Sequence, residues 1–317
     1  MIVASKRAKR PEDFIQRPDS RSVPDFAADC PFCPGNDEFT QTYVEPGEGD
    51  SWRFRIIRNK FPALEPAANK DLMAAGLKRW MPGFGYHEVV IETPKHNLWL
   101  WEQPATTIAS ILEAMKKRYH EMINDPRIEL VVMFKNHGAA AGTSIEHPHC
   151  QIVATPLMPT DVRRRLADAI RFFDENSNCL FCSTIDDEMN DRWRILHQSP
   201  HFVSFIPFAA LSPFHTLMFP TRHSPDFGMT SDDEVNDLAS HLRLVLRKIH
   251  RGLQNPDLNF VVRSLPLRAA DPRCFHWYIS IIPRVGHAAG FELGSGMFIN
   301  TAIPEQAAAF IRGIRSE

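Results

Sequence analysis

The sequence carries little net charge and no long apolar run. Its 317 residues hold 36 Lys and Arg against 38 Asp and Glu, a formal net charge of −2. A surface built to hold a polyanion needs an excess of cations, so nucleic acid is not an expected partner. The longest apolar stretches, such as that around Phe202–Phe208, are too short and too interrupted to cross a bilayer, so no membrane partner is expected either. The basic start, MIVASKRAKRPEDF, lacks an apolar stretch before a small-residue cleavage site and does not read as a signal peptide, which points to a cytoplasmic location. With 44% hydrophobic residues, the composition otherwise suits one large core or two medium ones.

Cysteine is scarce, with six in the chain, and without a secretion signal these do not read as a disulfide framework. Four of them form two CxxC pairs, Cys30/Cys33 and Cys179/Cys182, while Cys150 and Cys274 read as small buried hydrophobes. In a reducing compartment a CxxC pair is a metal or a redox site. The redox reading is the weaker one, because an active dithiol usually opens a helix, and these pairs sit among prolines and asparagines.

The residues after each pair repeat in order. Cys30-Pro-Phe-Cys33 is followed by an alternating stretch, HEVVIETPKHN, then a helix over Thr107–Asn124 with Ile108, Ile111, Leu112, Met115, Tyr119 and Met122 on one face. A strand (ELVVMFKN), a glycine-rich turn and a strand beginning at His147 complete the first unit. Cys179-Leu-Phe-Cys182 is followed by FHTLMF, then a helix with a capping box at Ser231 and Glu234, then NFVVRSL and FHWYISIIPR. The separation of His96 from His147 nearly equals that of His223 from His276. This predicts a duplicated chain, with residues 1–158 as a catalytic half and 159–317 as a second half. A polar, arginine-rich helix over about Thr160–Glu175 reads as the connector.

Zinc favours four tetrahedral thiolate and imidazole ligands, and a CxxC turn supplies two from one side. The spacing therefore predicts one zinc on Cys30, Cys33, His96 and His147, and a second on Cys179, Cys182, His223 and His276. With all four positions filled by protein, either ion would be structural, so the chemistry must lie elsewhere. On a strand His147, His149 and Gln151 share a face. The zinc set is complete without His149, which leaves that imidazole to attack phosphorus and form a phosphoramidate. The small-residue turn from Gly138 to Gly142 lets main-chain N–H groups approach a phosphate, and Ser144 and Gln151 can add neutral donors. The repeat sets Tyr278 opposite His149 and Ser280 opposite Gln151, so one catalytic centre per chain is expected.

FKNHGAAAGTSIEHPHCQ resembles the active-site stretch of the galactose-1-phosphate uridylyltransferase family of the histidine-triad superfamily. CPFC, RNKFPAL, HEVVIETPKHN and GFELGSGMFIN are similar to further blocks of that family in the same order, from Cys30 to Ala308. The resemblance implies an α+β fold of two duplicated histidine-triad-like halves, each an antiparallel sheet with packed helices, in a homodimer. It implies His149 as the nucleotidylated residue, Gln151 holding the phosphoryl group, Ser144 on phosphate, and Asn136 near the nucleotide. Asn59 and Phe61 would line the nucleoside pocket, and Phe291 and Glu292 would approach the sugar. The first zinc set matches the family's ligands. Two positions depart from the better-known members. The second metal set is cysteine-containing, as in the two-zinc branch that includes ADP-sugar phosphorylases. Lys60 stands where many members carry an acidic residue near the ribose.

The expected activity is transfer of UMP or AMP between a sugar nucleotide and a hexose 1-phosphate through a nucleotidyl-His149 intermediate. The alternative is an ADP-sugar phosphorylase, with inorganic phosphate as acceptor. A nucleotide hydrolase of the superfamily is a further enzyme reading, weaker because such proteins are short single units with a histidine where Gln151 stands. A zinc-stabilised binding protein without catalysis is the reading from another class.

Overall fold

The computed structural model describes residues 2–3, 7–15, 23–36, 39, 41–47, 51–69, 71–268, 271–286 and 289–315. Within the basic start, Met1 and residues 4–6 lie outside the described residues. Ten strands form one sheet: β1 (Gln41–Pro46), β2 (Trp52–Arg58), β3 (Tyr86–Ile91), β4 (Leu130–His137), β5 (His149–Thr155), β6 (Ile195–Gln198), β7 (Phe202–Phe205), β8 (Thr216–Pro220), β9 (Leu258–Arg263) and β10 (Tyr278–Pro283). The spatial order is β1-β2-β3-β5-β4-β9-β10-β8-β7-β6, with every neighbouring pair antiparallel. The first five strands run in the order 1-2-3-5-4, and the last five show the same order in mirror sequence. The repeat is thus visible in topology. The two sheets are not separate layers, because β4 pairs with β9 from Leu258↔His137 to Val262↔Met133 and makes them one.

Among the described residues six α-helices accompany the sheet: α1 (Ala105–Ile123), α2 (Thr160–Asn176), α3 (Leu180–Asp191), α4 (Asp232–Gly252), α5 (Gly290–Ser295) and α6 (Pro304–Gly313). The apolar stripe of α1 is buried as its spacing predicts, through Ile108, Ile111, Leu112, Met115, Tyr119 and Met122. It packs against α4, whose Leu238, Leu242, Val245, Leu246 and Ile249 are buried in the same core. Each such side chain contributes about 1.5–3 kcal/mol by leaving water, and truncating Leu242 to alanine would cost about 2–5 kcal/mol. The start of α4 is the expected capping box. Glu234 N–H donates to Ser231 Oγ (3.2 Å), and Ser231 N–H donates to Glu234 Oε2 (2.8 Å). Among the described residues no helix is long and apolar enough to cross a membrane.

Two sequence readings change here. The ladder strand β5 begins at His149, not His147, because Pro148 has no N–H to offer a partner. Its carbonyl still accepts the N–H of Glu92 (3.1 Å). The second CxxC pair does open a helix, with Cys179 as the N-cap of α3, so its sequence surroundings did not exclude a redox role. What opposes that role is the pair of histidines packed against it.

Helices α2 and α3 cover the second half of the sheet on the face opposite α1 and α4. Leu166, Ala169 and Ile185 pack there on Val203, Phe205, Phe219, Phe275 and Tyr278. Tyr278, the repeat counterpart of His149, packs at a tilt against Phe181 (5.6 Å between centroids) and Phe219 (4.9 Å) and is closed off by these helices. In the first half the corresponding face carries a smaller cluster, Cys30, Phe32, Cys33, Ile57, Val89 and Ile91, beside which His149 sits.

Candidate active site and metal centres

Cys30, Cys33, His96 and His147 come together with all ligand atoms within 4.8 Å of one another, and all four residues are buried. Cys30 Sγ lies 3.7 Å from His147 Nδ1, Cys33 Sγ lies 3.6 Å from the same nitrogen, and Cys33 Sγ lies 3.5 Å from His96 Nδ1. A tetrahedron with zinc–sulfur near 2.3 Å and zinc–nitrogen near 2.0–2.1 Å has edges of about 3.5 Å, so the donor set fits such an ion. Supporting contacts agree. His147 Nε2–H donates to the Thr93 carbonyl (2.7 Å), which leaves Nδ1 as the lone pair facing the thiols. Burial pushes the His147 pKa down to about 4, so the ring is neutral. The N–H groups of Phe32 and Ala27 each approach a cysteine sulfur at 3.4 Å.

Cys179, Cys182, His223 and His276 form a second group of the same kind. Cys182 Sγ lies 3.2 Å from His223 Nδ1 and 3.4 Å from His276 Nδ1. His223 Nε2–H donates to the Pro272 carbonyl (3.3 Å), again turning Nδ1 to the thiols. Both groups could therefore hold a metal ion.

His149 is buried but belongs to neither group. Its Nδ1–H donates to the main-chain carbonyl of His147 (2.8 Å), which assigns the tautomer and leaves Nε2 as an unprotonated lone pair. Burial lowers the pKa of the ring, opposed by that hydrogen bond, so the imidazole is neutral. Among the described residues nothing hydrogen-bonds Nε2. Phe32, the residue between the two cysteines of the first pair, meets the His149 ring edge to face at 5.3 Å. Behind the strand, Lys135 Nζ donates to the His149 carbonyl (3.2 Å) and to Glu92 Oε1 (2.6 Å), an ion pair buried on both sides.

Gln151 lies two residues on along the strand. His87, which the sequence reading did not single out, receives the Ala63 N–H on Nδ1 (3.1 Å), so its Nε2 carries the proton and donates to Gln151 Oε1 (2.8 Å). Gln151 is left with its NH₂ group for a ligand. Asn59 Oδ1 accepts the Phe61 N–H (2.9 Å), which turns Asn59 Nδ2 to the same protonated His87 nitrogen (3.1 Å), a contact between two donors and not a hydrogen bond. Asn59 thus lies against the His87–Gln151 pair, while Phe61 is 84% exposed. His87 opens the alternating stretch HEVVIETPKHN, but only its partners Ala63 and Gln151, distant in sequence, mark it. The repeat keeps this contact as His215 Nε2 and Ser280 Oγ at 2.9 Å.

The small-residue turn takes the backbone form that needs glycine, with φ of 84° at Gly138 and 85° at Gly142. A Cβ at 138 would collide with the Asp257 carboxylate. Ser144 follows on the exposed side of the turn, and its hydroxyl makes no hydrogen bond among the described residues. Phe291 and Glu292 lie on the short exposed helix α5. The Glu292 carboxylate accepts the Ala289 N–H of its own first turn (2.9 Å). No hydrogen bond or ring contact among the described residues joins either to the His149 group.

The fold and the site define a class, an antiparallel α+β scaffold with two Cys₂His₂ clusters and a neutral histidine beside amide donors. Comparison gives the family. Residues 1–159 match the family described as galactose-1-phosphate uridyl transferase, N-terminal domain, and the chain belongs to that family. It is 34% identical to the ADP-glucose phosphorylase of Arabidopsis thaliana over 99% of this chain and 90% of that protein. It is 26% identical to the galactose-1-phosphate uridylyltransferase of Thermotoga maritima over 92% of this chain and 91% of that one. The crystal structure of the Arabidopsis thaliana ADP-glucose phosphorylase with bound ADP-glucose superposes with a TM-score of 0.82 at 32% identity, covering 94% of this chain and 93% of that one. These relatives are enzymes that transfer nucleotidyl groups of hexose phosphates, and this chain is an enzyme of that kind.

Proposed function

We propose that the chain is an ADP-sugar phosphorylase. His149 Nε2 attacks the α-phosphorus of ADP-glucose, the bond to the glucose 1-phosphate leaving group breaks, and AMP stays on the ring. Inorganic phosphate then attacks the same phosphorus, releasing ADP and restoring the neutral imidazole. The observation that carries the chemistry is the His149 ring, buried, neutral, and held at Nδ1 so that its free lone pair is the nucleophile. Gln151 offers its amide N–H groups to the phosphoryl oxygens, Ser144 adds a hydroxyl, and the Gly138–Gly142 turn brings main-chain donors close. Asn59 and Phe61 take the nucleoside side, and Asn136 the phosphate side. Phe291 and Glu292 take the sugar, coming into reach from an exposed helix.

The 34% identity to an ADP-glucose phosphorylase over nearly the whole chain favours adenosine and phosphate. A second reading, UMP transfer between UDP-glucose and a hexose 1-phosphate, is supported by the Thermotoga maritima uridylyltransferase, which is matched along most of its length. Both clusters would hold zinc, each as a structural ion that supplies rigidity and no reacting ligand. Residues 1–158 would carry the chemistry and 159–317 the support, in a cytoplasmic homodimer.

The test is to incubate metal-replete protein with α-labelled ADP-glucose or UDP-glucose and to look for base-stable, acid-labile label on the chain. Label from ADP-glucose that phosphate discharges as ADP is the expected result. Label only from UDP-glucose, discharged by galactose 1-phosphate, would select the second reading. Failure of both donors would end the transferase reading, and label surviving His149→Asn would end the role of His149.

A further inference from the structure

Asn136 and Asn259 are direct cross-strand partners on β4 and β9, where the two halves of the sheet meet. Phe134, two residues before Asn136 and on the same face, pairs with Gln151. One further step of that register, in the direction of His149, sets Asn136 beside the nucleophile. Asn259 Nδ2 donates to Asn136 Oδ1 (2.8 Å) and to the Ala141 carbonyl (2.9 Å), while Asn259 Oδ1 accepts Arg284 Nε–H (2.6 Å).

The two ends of an amide look alike in shape, so its orientation must be read from its partners. A guanidinium can only donate, so the atom of Asn259 facing Arg284 is the oxygen. A carbonyl can only accept, so the atom facing Ala141 is the nitrogen. The two partners agree independently. With the Asn259 NH₂ turned to Asn136, the Asn136 oxygen is used up and its NH₂ group is what remains for a ligand. Gln151 has the same polarity, its oxygen being held by His87.

We infer that Arg284 is a positioning residue: through Asn259 it fixes Asn136 as a hydrogen-bond donor, so that the pocket beside His149 meets an acceptor oxygen of the nucleotidyl group. Asn259 and a third second-half residue, Asp257, also hold the phosphate-approaching turn. The main-chain N–H of Arg284 donates to the Asp257 carbonyl (2.7 Å), and the Asp257 carboxylate accepts the Ala140 N–H (2.5 Å) in the space that Gly138 leaves open. Arg284 is exposed, so its replacement removes an orienting donor and little core.

The inference rests on the nucleotidyl reading of His149, and the experiment separates the two. The dissociation constant for ADP-glucose and for UDP-glucose is measured by calorimetry on full-length, metal-replete wild type, Arg284→Met, Arg284→Lys, Arg284→Glu, Asn136→Ala and the Asn136→Ala/Arg284→Met double variant. Arg284→Met should weaken binding of the preferred nucleotide by about 10–100-fold, the effect of leaving one buried polar group at the site wrongly paired. Arg284→Lys, still a pure donor, should restore most of it. Arg284→Glu, a pure acceptor, should be the weakest, since it turns both amides over. In the Asn136→Ala background the Arg284 change should have no further effect. Equal losses in both backgrounds, or full affinity in Arg284→Met, would overturn the inference while leaving a labelled His149 untouched. Wild type that binds neither nucleotide would overturn the parent reading instead.

Discussion

His149 is held by the residue two positions before it. Its Nδ1–H donates to the His147 carbonyl at 2.8 Å, while the His147 ring lies 3.6–3.7 Å from the thiols of Cys33 and Cys30. One residue therefore joins the Cys/His cluster with its side chain and orients the His149 ring with its backbone.

Metal analysis of purified protein should give two ions per chain. Cys33→Ser should lose one, Cys182→Ser the other, and His149→Asn should keep both. The Cys33→Ser protein should also take up nucleotide on His149 more slowly, because the carbonyl that orients the ring is no longer fixed. Loss of an ion in His149→Asn would make that residue a ligand and remove it from the chemistry.

His87→Leu should lower kcat/KM for the nucleotide donor by about 10–100-fold, the order expected when one polar group at the site is left unpaired. The Gln151 amide would then be free to turn its oxygen toward the phosphoryl group and repel it. Steady-state rates decide this, and an unaltered kcat/KM would show that Gln151 is oriented by something other than His87.

Acid should destabilise the fold before any carboxylate titrates widely. Burial lowers the pKa of His137 to about 4, of His215 to about 4 and of His241 to about 3. The unfolded chain takes up protons near the ordinary histidine value of about 6.5, and the folded chain does not. Below that value the unfolded state binds more protons, so stability is complete above pH 6.5 and falls toward pH 4. Urea midpoints across this window should decline with pH, and His241→Asn should flatten the decline. A midpoint independent of pH from 7 to 4 would contradict the burial argument.

Lys135 and Glu92 form a 2.6 Å ion pair with almost no exposure on either side. Lys135→Met leaves the buried carboxylate with the Cys150 thiol (2.9 Å) but no counter-charge, a change that costs about 3–5 kcal/mol. Denaturant unfolding should show that loss. The Lys135→Met/Glu92→Leu double variant should recover most of it, since packing can replace a buried pair but not half of one.

Much of this architecture could be read in the sequence because its signals are local or repeated. The stripe of α1, the capping box of α4 and both Cys/His sets needed only spacing. His87 was hidden because a histidine on a half-buried strand has no local mark, and its roles come from Gln151 on the neighbouring strand and Ala63 in a loop. Asn259 and Arg284 were hidden for a stronger reason. They act on Asn136 through the β4–β9 pairing, a contact between residues more than a hundred positions apart that no periodicity reports. The start of β5 was misplaced by two residues because alternation cannot see that Pro148 lacks a donor. The helix opening at Cys179 was missed because its flanks are polar and its apolar stripe is short.

The pairing of β4 with β9 also means that neither half has a finished edge of its own. Cut after residue 158, the first half would present to solvent the donors and acceptors of β4 that β9 now pairs, from Met133 to His137. Two such fragments could satisfy one another across that row in the antiparallel sense that β9 now uses. The separated half is therefore expected to self-associate through β4, and size measurement of a 1–158 fragment would show it. In this chain the partner for that row is supplied by the second repeat, which in turn closes its own counterpart of the His149 position, Tyr278, under α2 and α3.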